Sequence, residues 1–411
     1  MSQQGPLLLV SAAARPSLTA ALDAAKLFPI IEVGWSEAAH AVGRMQPAAV
    51  LAVTAGADAA DVAALAHHAA ARKPYLPLIA VDAEGALPDN AIPFAQGGEA
   101  IDRLLARLRA ALRIRTLHAT VLRRLGEKKA AETSLPETDP LIDATVLLLG
   151  RGASYPALSV AFGTRMAVVG ALSIEAAAKH LSSRDIDGVV LGEGFSPRVV
   201  DAFLTVLAED TRFRNLAVVL TSPHSAQAPD LANLEIVHGD PARIAAHALP
   251  LIRQHAFETR LNRTLRAIDA GGLLDPQTGL LTKPAFARDF AAAVTQAQAQ
   301  SGGLLSVARF AFDPDHPRAL FDGARIISRL MRRMDFGTRE DNGSVIVVFA
   351  ETDLRSAQAI TRRLSAVMRH TSHGRRSARI DPSITVAALK PGDTARTLLA
   401  RLYDEINRAA S

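Results

Sequence analysis

The residues in this chain best suited to chemistry lie in its last third. Arg332 and Asp335 stand in the segment Arg332-Arg-Met-Asp335, and Arg362 and Arg363 follow on a later helical stretch. An arginine fork makes bidentate contacts with guanine O6 and N7 or with phosphate, and its plane stacks on a base. An aspartate accepts from the N1–H and N2–H edge of guanine. The bare Arg-x-x-Asp pattern is common here. It recurs at Arg184–Asp187, Arg198–Asp201, Arg266–Asp269 and Arg401–Asp404. Only Arg332–Asp335 stands just upstream of a polar turn, Asp341-Asn342-Gly343-Ser344-Val345, that leads into Ile346–Phe349. A Gly-bearing turn between runs of β-formers reads as a hairpin. A second reading makes Arg332 and Asp335 a solvated helix end, with the arginine favourable to the helix dipole.

Carboxylates that could hold a divalent cation for phosphoryl chemistry are sparse near this hairpin. The strand Leu304–Phe312 carries none, and Asp313 and Asp315 follow it in Asp313-Pro-Asp-His-Pro317, a turn-like context. They are retained as an alternative, rearranged metal pair.

These residues need elements to position them. From residue 6 to about 125, short apolar runs (Leu7–Val10, Ile30–Val33, Val50–Thr54, Pro77–Val81, Ile92–Phe94) alternate with Ala-rich helical stretches ending in a long one over 98–125. Strands alternating with helices imply a parallel sheet covered on both faces. The polar segment 127–142 reads as a linker. The alternation then restarts with Thr145–Leu149, Met166–Val169, Val189–Leu191, Leu216–Thr221 and Leu234–Val237, and a long helix over 242–269. The third stretch predicts helix 284–300, strand 304–312, helix 323–333, the hairpin, helix 354–370, strand 384–389 and helix 394–409. The fold class expected is α/β: two doubly wound, flavodoxin-like units (1–126 and 143–270) and a third α/β unit with a mixed sheet (271–411).

The third unit opens with Asp275-Pro-Gln-Thr278-Gly279-Leu280-Leu-Thr282-Lys283-Pro-Ala-Phe286. This resembles the opening motif of GGDEF (diguanylate cyclase) domains, Asp-x-Leu-Thr-Gly-Leu-x-Asn-Arg-x-x-Phe. Asp275, Thr278, Gly279, Leu280 and Phe286 match, and Gln277, Thr282 and Lys283 depart from it. The first two units resemble response-regulator receiver domains, and the three together resemble the layout of PleD- and PopA-type regulators of alphaproteobacterial cell-cycle control. The resemblance implies that Arg332 and Asp335, helped by Arg362 or Arg363, form an inhibitory-type site for cyclic di-GMP. It also implies lost catalysis. Ser344 stands at the essential Glu position, Asp341 and Asn342 replace the paired glycines, the guanine-contacting segment is replaced by His316–Gly323, and the last helix keeps Leu402-Tyr403 without the Lys.

Receiver chemistry requires an acid cluster for Mg²⁺, an Asp nucleophile and a Lys. In the first unit the nucleophile position is Val53, and the strand exits Ser11–Ala14 and Ala95–Gly98 lack the acids and the Lys. In the second unit Glu193, followed by Pro197, occupies the acceptor position, and Asp240-Pro241 replaces Lys-Pro. Glu193 either mimics a phosphorylated Asp or is a polar loop residue. The two units are therefore expected to serve as dimerisation and docking modules, with helices 98–125 and 242–269 relaying dimer geometry or simply packing.

The 411 residues carry a formal charge of +5 and no cysteine, which excludes disulfides and thiolate metal sites and fits a reducing cytoplasm. No apolar run is long enough to span a bilayer, and the basic run Arg103–Arg124 reads as a solvated helix face rather than a nucleic-acid patch. No signal peptide, catalytic residue, metal or cofactor is expected. The expected ligand is cyclic di-GMP. The expected partners are a second copy of the chain and, by the resemblance, cell-cycle or proteolysis-adaptor proteins. A nucleotide-independent scaffold is the competing expectation.

Overall fold

The computed structural model describes all residues except 1–4, 27, 84–86, 96–99, 128–133, 223–230, 300–302, 374–377 and 410–411. Parts of two sequence readings, the strand exit Ala95–Gly98 and the linker 127–142, therefore lie outside the described residues. The fold is α/β.

The first unit runs β1 (Leu7–Val10), α1 (Pro16–Ala24), β2 (Ile30–Val33), α2 (Trp35–Met45), β3 (Ala49–Val53), α3 (Ala59–Ala70), β4 (Leu78–Val81), β5 (Ala91–Phe94) and α4 (Ala100–Glu127). Its strands β1, β3, β4 and β5 are apolar and buried because helices cover both faces of the sheet, whereas edge strand β2 carries Glu32. All pairings are parallel, and the order β2-β1-β3-β4-β5 is the flavodoxin-like doubly wound order.

The second unit repeats this plan: β6 (Thr145–Leu149), α5 (Tyr155–Gly163), β7 (Ala167–Ala171), α6 (Ile174–Ser183), β8 (Gly188–Leu191), α7 (Pro197–Glu209), β9 (Ala217–Leu220), β10 (Leu234–Ile236) and α8 (Pro241–Asp269). Its five strands follow the same order, β10-β9-β8-β6-β7.

The third unit comprises α9 (Lys283–Ala299), β11 (Leu305–Ala311), α10 (Pro317–Leu330), β12 (Phe336–Arg339), β13 (Ser344–Ala350), α11 (Leu354–Met368), β14 (Thr371–His373), β15 (Ala378–Arg379), β16 (Ser383–Ala388) and α12 (Ala395–Ala409). Its sheet has the order β12-β13-β11-β16, with every strand pairing antiparallel. The parallel component of the expected mixed sheet reduces to one bridge, Leu281 to Thr338.

Two features depart from the sequence reading. Helix α10 starts at Pro317 rather than 323, since Pro at the first helical position is preorganised for a helix. It ends at Leu330, because Met331 adopts extended backbone. The segment His316–Gly323 is thus the first half of a helix, and Gly323 is required there: a Cβ would meet Phe312 Cε1 at 2.3 Å. The pair β14–β15 was not expected. It leaves its own unit and adds antiparallel to β7, extending the second unit's sheet to seven strands.

The first two units share one apolar cluster, which runs from β3, β5 and α4 into α5 and α8. Helices α4 and α8 pack on each other within the chain, so packing is the part of their expected role that is seen. At the centre of this contact Arg107 of α4 is 1 % exposed. Its guanidinium pairs with Glu235 of β10 at 2.7 Å and donates to the carbonyls of Pro93, Ala232 and Leu234 while lying over the Phe94 ring. Removing one partner of a buried pair strands the other charge, so Arg107→Ala is expected to destabilise the protein by about 3–5 kcal/mol. The double change Arg107→Met with Glu235→Met should recover most of that loss. Urea denaturation of the three proteins measures both.

Candidate functional site

The turn after α10 is built by Asp335. Its amide donates to the Arg332 carbonyl at 3.0 Å, and its Oδ2 accepts from the Arg332 amide at 3.2 Å. The side chains of Arg332, Arg333 and Met334 are left exposed, whereas Asp335 is only 8 % exposed. Burial raises the Asp335 pKa against the opposing effect of the neighbouring backbone amides. Its Oδ1 is buried beside Ala350 without a well-formed hydrogen bond. Asp335 therefore positions the loop, and Arg332 is the side chain the loop presents. Helix α10 ends at Leu330 with Met331 as its cap, so exposed Arg332 stands just past the helix end, as the alternative reading had it, whereas Asp335 is buried rather than solvated.

Arg362 and Arg363 are exposed on α11, which packs beside α10. Arg362 Nε donates to the Gln358 carbonyl of its own helix at 3.2 Å. The two share no hydrogen bond or ion pair with Arg332 among the described residues. Three of the other Arg-x-x-Asp copies are used structurally. Arg184 and Asp187 are buried between units, Asp269 pairs with Arg124, and Arg401 pairs with Asp393 at 2.8 Å.

The hairpin forms as read, with Phe336 opposite Val348 and Arg339 opposite Val345. In its turn Gly343 takes φ +76°, which favours glycine. Ser344 is fully buried and donates from Oγ to Asn342 Oδ1 at 2.6 Å. Asp341 is exposed and paired to Lys283, which holds its carboxyl below the usual range. Phe312 N donates to the Gly343 carbonyl at 3.1 Å, so Asp313 begins beside this turn. Its carboxylate is spent locally, on the Asp315 amide at 2.9 Å and His316 Nδ1 at 3.0 Å. No cluster of three or more metal-ligating side chains occurs among the described residues.

The opening loop is stitched to β12. Asp275 accepts from Gln277 N and from Thr278 Oγ1 at 2.7 Å, Leu281 N donates to the Gly337 carbonyl, and Thr338 Oγ1 donates to the Leu281 carbonyl. A cleft of about 450 Å³ lies between loop and hairpin, lined by Asp275, Lys283, Thr338, Arg339 and Asp341. On the adjacent strand Arg309 stacks on Tyr403 of α12.

The residues expected at the phosphoacceptor positions differ in surroundings. Val53 is 2 % exposed at the end of β3. Glu193 is exposed and folds over Gly152, where a Cβ would meet its Oε2 at 2.3 Å. Asp240 caps α8 by accepting from Arg243 N at 2.8 Å.

Sequence reasoning missed the residues that join the third unit to the second. Arg325 reaches Asp143 and the Gln277 carbonyl, Arg329 pairs with Asp185 at 2.5 Å, Arg318 donates to the Ala144 carbonyl, and Arg184 donates to Thr371 and Val367. They carry no local signal, since each partner is distant in sequence.

No protein-family model matches the chain, and no curated protein does. Among solved structures, the GGDEF domain of FimX from Pseudomonas aeruginosa is similar at 22 % identity, over 32 % of this chain and 90 % of that one, with a TM-score of 0.29. A sensory box/GGDEF family protein from Caulobacter crescentus gives 24 %, 34 %, 97 % and 0.28. The coiled coil and GGDEF domain of DgcB from Caulobacter crescentus, in complex with c-di-GMP, gives 17 %, 36 %, 87 % and 0.29.

Ionising Asp335 in its buried position costs stability, because a raised folded pKa means that stability falls as pH rises through it. Asp335→Asn keeps an acceptor for Arg332 N without that charge. Its thermal midpoint at pH 7 is expected to equal or exceed wild type, the difference closing below about pH 4, where the unfolded carboxyl is also protonated. A drop at pH 7, followed by thermal melts across pH, would show that the charge itself is needed.

Proposed function

We propose that this chain is a GGDEF-type signalling protein that has lost cyclase chemistry and binds cyclic di-GMP at the Arg332 loop. The observation that carries the reading is the preorganised loop: Asp335 ties its backbone while Arg332 is held out to solvent. A loop backbone fixed in advance lowers the cost of ordering the arginine against a guanine or phosphate. Exposed Arg362 and Arg363 on α11 supply further charge for the second phosphate or base. The opening motif and the Asp341–Val345 hairpin support the family assignment.

Inactivity is supported by the same hairpin. Cyclisation of GTP needs carboxylates to hold Mg²⁺ against the triphosphate. Here the turn offers buried Ser344 and a Lys283-paired Asp341, and Asp313 is bonded to its own loop. The first two units act, in this reading, as receiver-like docking modules without phosphotransfer, in a cytoplasmic protein that dimerises and engages cell-cycle or proteolysis-adaptor proteins. No helix among the described residues is long and apolar enough to cross a membrane.

Calorimetric titration of the full chain with cyclic di-GMP should give saturable heat, with Arg332→Ala weakening binding at least about tenfold, the worth of one charge-assisted contact. Absence of saturable heat, or indifference to Arg332→Ala, would sink the reading. The interlocked units favour a second reading, a scaffold that binds no nucleotide. It predicts that a variant lacking both Arg332 and Asp335 keeps every protein contact in pull-down. Incubation with GTP and Mg²⁺ should yield no cyclic dinucleotide by chromatography, and any product would restore the Asp313/Asp315 alternative.

A further inference from the structure

We propose a second ligand site, for a polyphosphate-bearing nucleotide, in the cleft where all three units meet. The cleft has a volume of about 500 Å³, within the range of small-molecule sites. One wall is α8, whose residues His255, Glu258, Thr259, Asn262 and Arg266 recur at three- and four-residue steps and so share a face. The facing wall is the turn after α7. There Arg212 lies over the Phe213 ring, 4.9 Å from its centroid, and is anchored by Asp210 at 2.7 Å. Arg113 of α4 and Arg329 of α10 bring in the first and third units.

The electrostatics of the cleft point to an anion. Five arginines line it against two carboxylates, Asp185 and Glu258. Both carboxylates are already committed, Glu258 to Arg113 at 2.7 Å and Asp185 to Arg329 at 2.5 Å, and Arg212 is paired with Asp210 outside the lining. Arg184 and Arg266 make no ion pair among the described residues. Arg184 is only 3 % exposed; its terminal nitrogens donate to Thr371 and to the Val367 carbonyl, and its Nε has no hydrogen-bond partner. Burial lowers its pKa to about 10, so it still carries its charge at neutral pH. Guanidinium forks match phosphate oxygens. The Arg212 plane, already stacked on Phe213, offers a surface for a base. Such a ligand would touch α4, the second unit, α8 and α10 together, and its binding would stabilise their arrangement.

This site shares no residue with the Arg332 loop, and its test separates the two. The full chain is titrated calorimetrically with GTP, ATP and inorganic tripolyphosphate, at low and at moderate salt. Saturable nucleotide binding that weakens with salt is expected. Arg266→Ala, an exposed position, should weaken all binding roughly tenfold. Arg212→Ala should weaken nucleotides more than tripolyphosphate, and Arg332→Ala should change neither. Absence of saturable heat with all three probes, or binding untouched by both Arg266→Ala and Arg212→Ala, would overturn the site. Equal affinity for tripolyphosphate and nucleotides would overturn the nucleotide assignment.

Discussion

One partly buried carboxylate, Asp143, ties the third unit to the second. Its Oδ2 takes Arg260 of α8 at 2.7 Å, and its Oδ1 faces Arg325 of α10 at 3.4 Å. Burial alone would raise its pKa, but Arg325 and Arg260 outweigh that and hold it below the ordinary range. Arg260 is itself 2 % exposed and gathers the carbonyls of Pro136, Thr138 and Asp139, which end the connection from the first unit. Buried ion pairs are poor sources of net stability, because desolvation offsets the attraction. Their effect is to forbid alternatives: a shift of α10 against α8 would leave charges buried and unpaired. Arg107 and Glu235 impose the same constraint between the first two units.

That constraint reaches the Arg332 loop through α10. The helix is held by Arg318, Arg325 and Arg329 along the face turned to the second unit, and the loop is its direct continuation. The strand pair β14–β15 holds the far side of the third unit, since α11 leads into β14, which pairs with β7. A ligand on the loop and α11 would therefore bear on two elements that are both anchored in the second unit. A rigid three-unit body is the physical condition for passing such an effect on, since packed interfaces resist graded deformation.

Most of the fold was legible in the sequence. Parallel strands buried on both faces are continuous apolar runs, so β1, β6 and β8 read off directly, and the hairpin followed from a glycine-bearing turn between β-formers. Helix α10 was misplaced because Asp313-Pro-Asp-His-Pro317 reads as a turn, and only the structure shows that Pro317 opens a helix. The pair β14–β15 was illegible because its partner, β7, belongs to another unit. At the candidate site the types and spacing of Arg332 and Asp335 were readable. The inward orientation of Asp335 was not, because sequence does not say whether a carboxylate faces ligand or backbone.

The two doubly wound units place packing and capping residues at the ends of their strands. Phosphotransfer at the strand ends needs an acid nucleophile, a cation and a lysine placed together. Val53 has instead joined the core, where an ionisable side chain would be costly. Asp240 satisfies the amide that opens α8, a structural gain at the expected lysine position that inverts its charge. Both residues favour a single, well-packed state at these strand ends. Charges are concentrated on the third unit and at its junction with the other two, where arginines outnumber the carboxylates that face them.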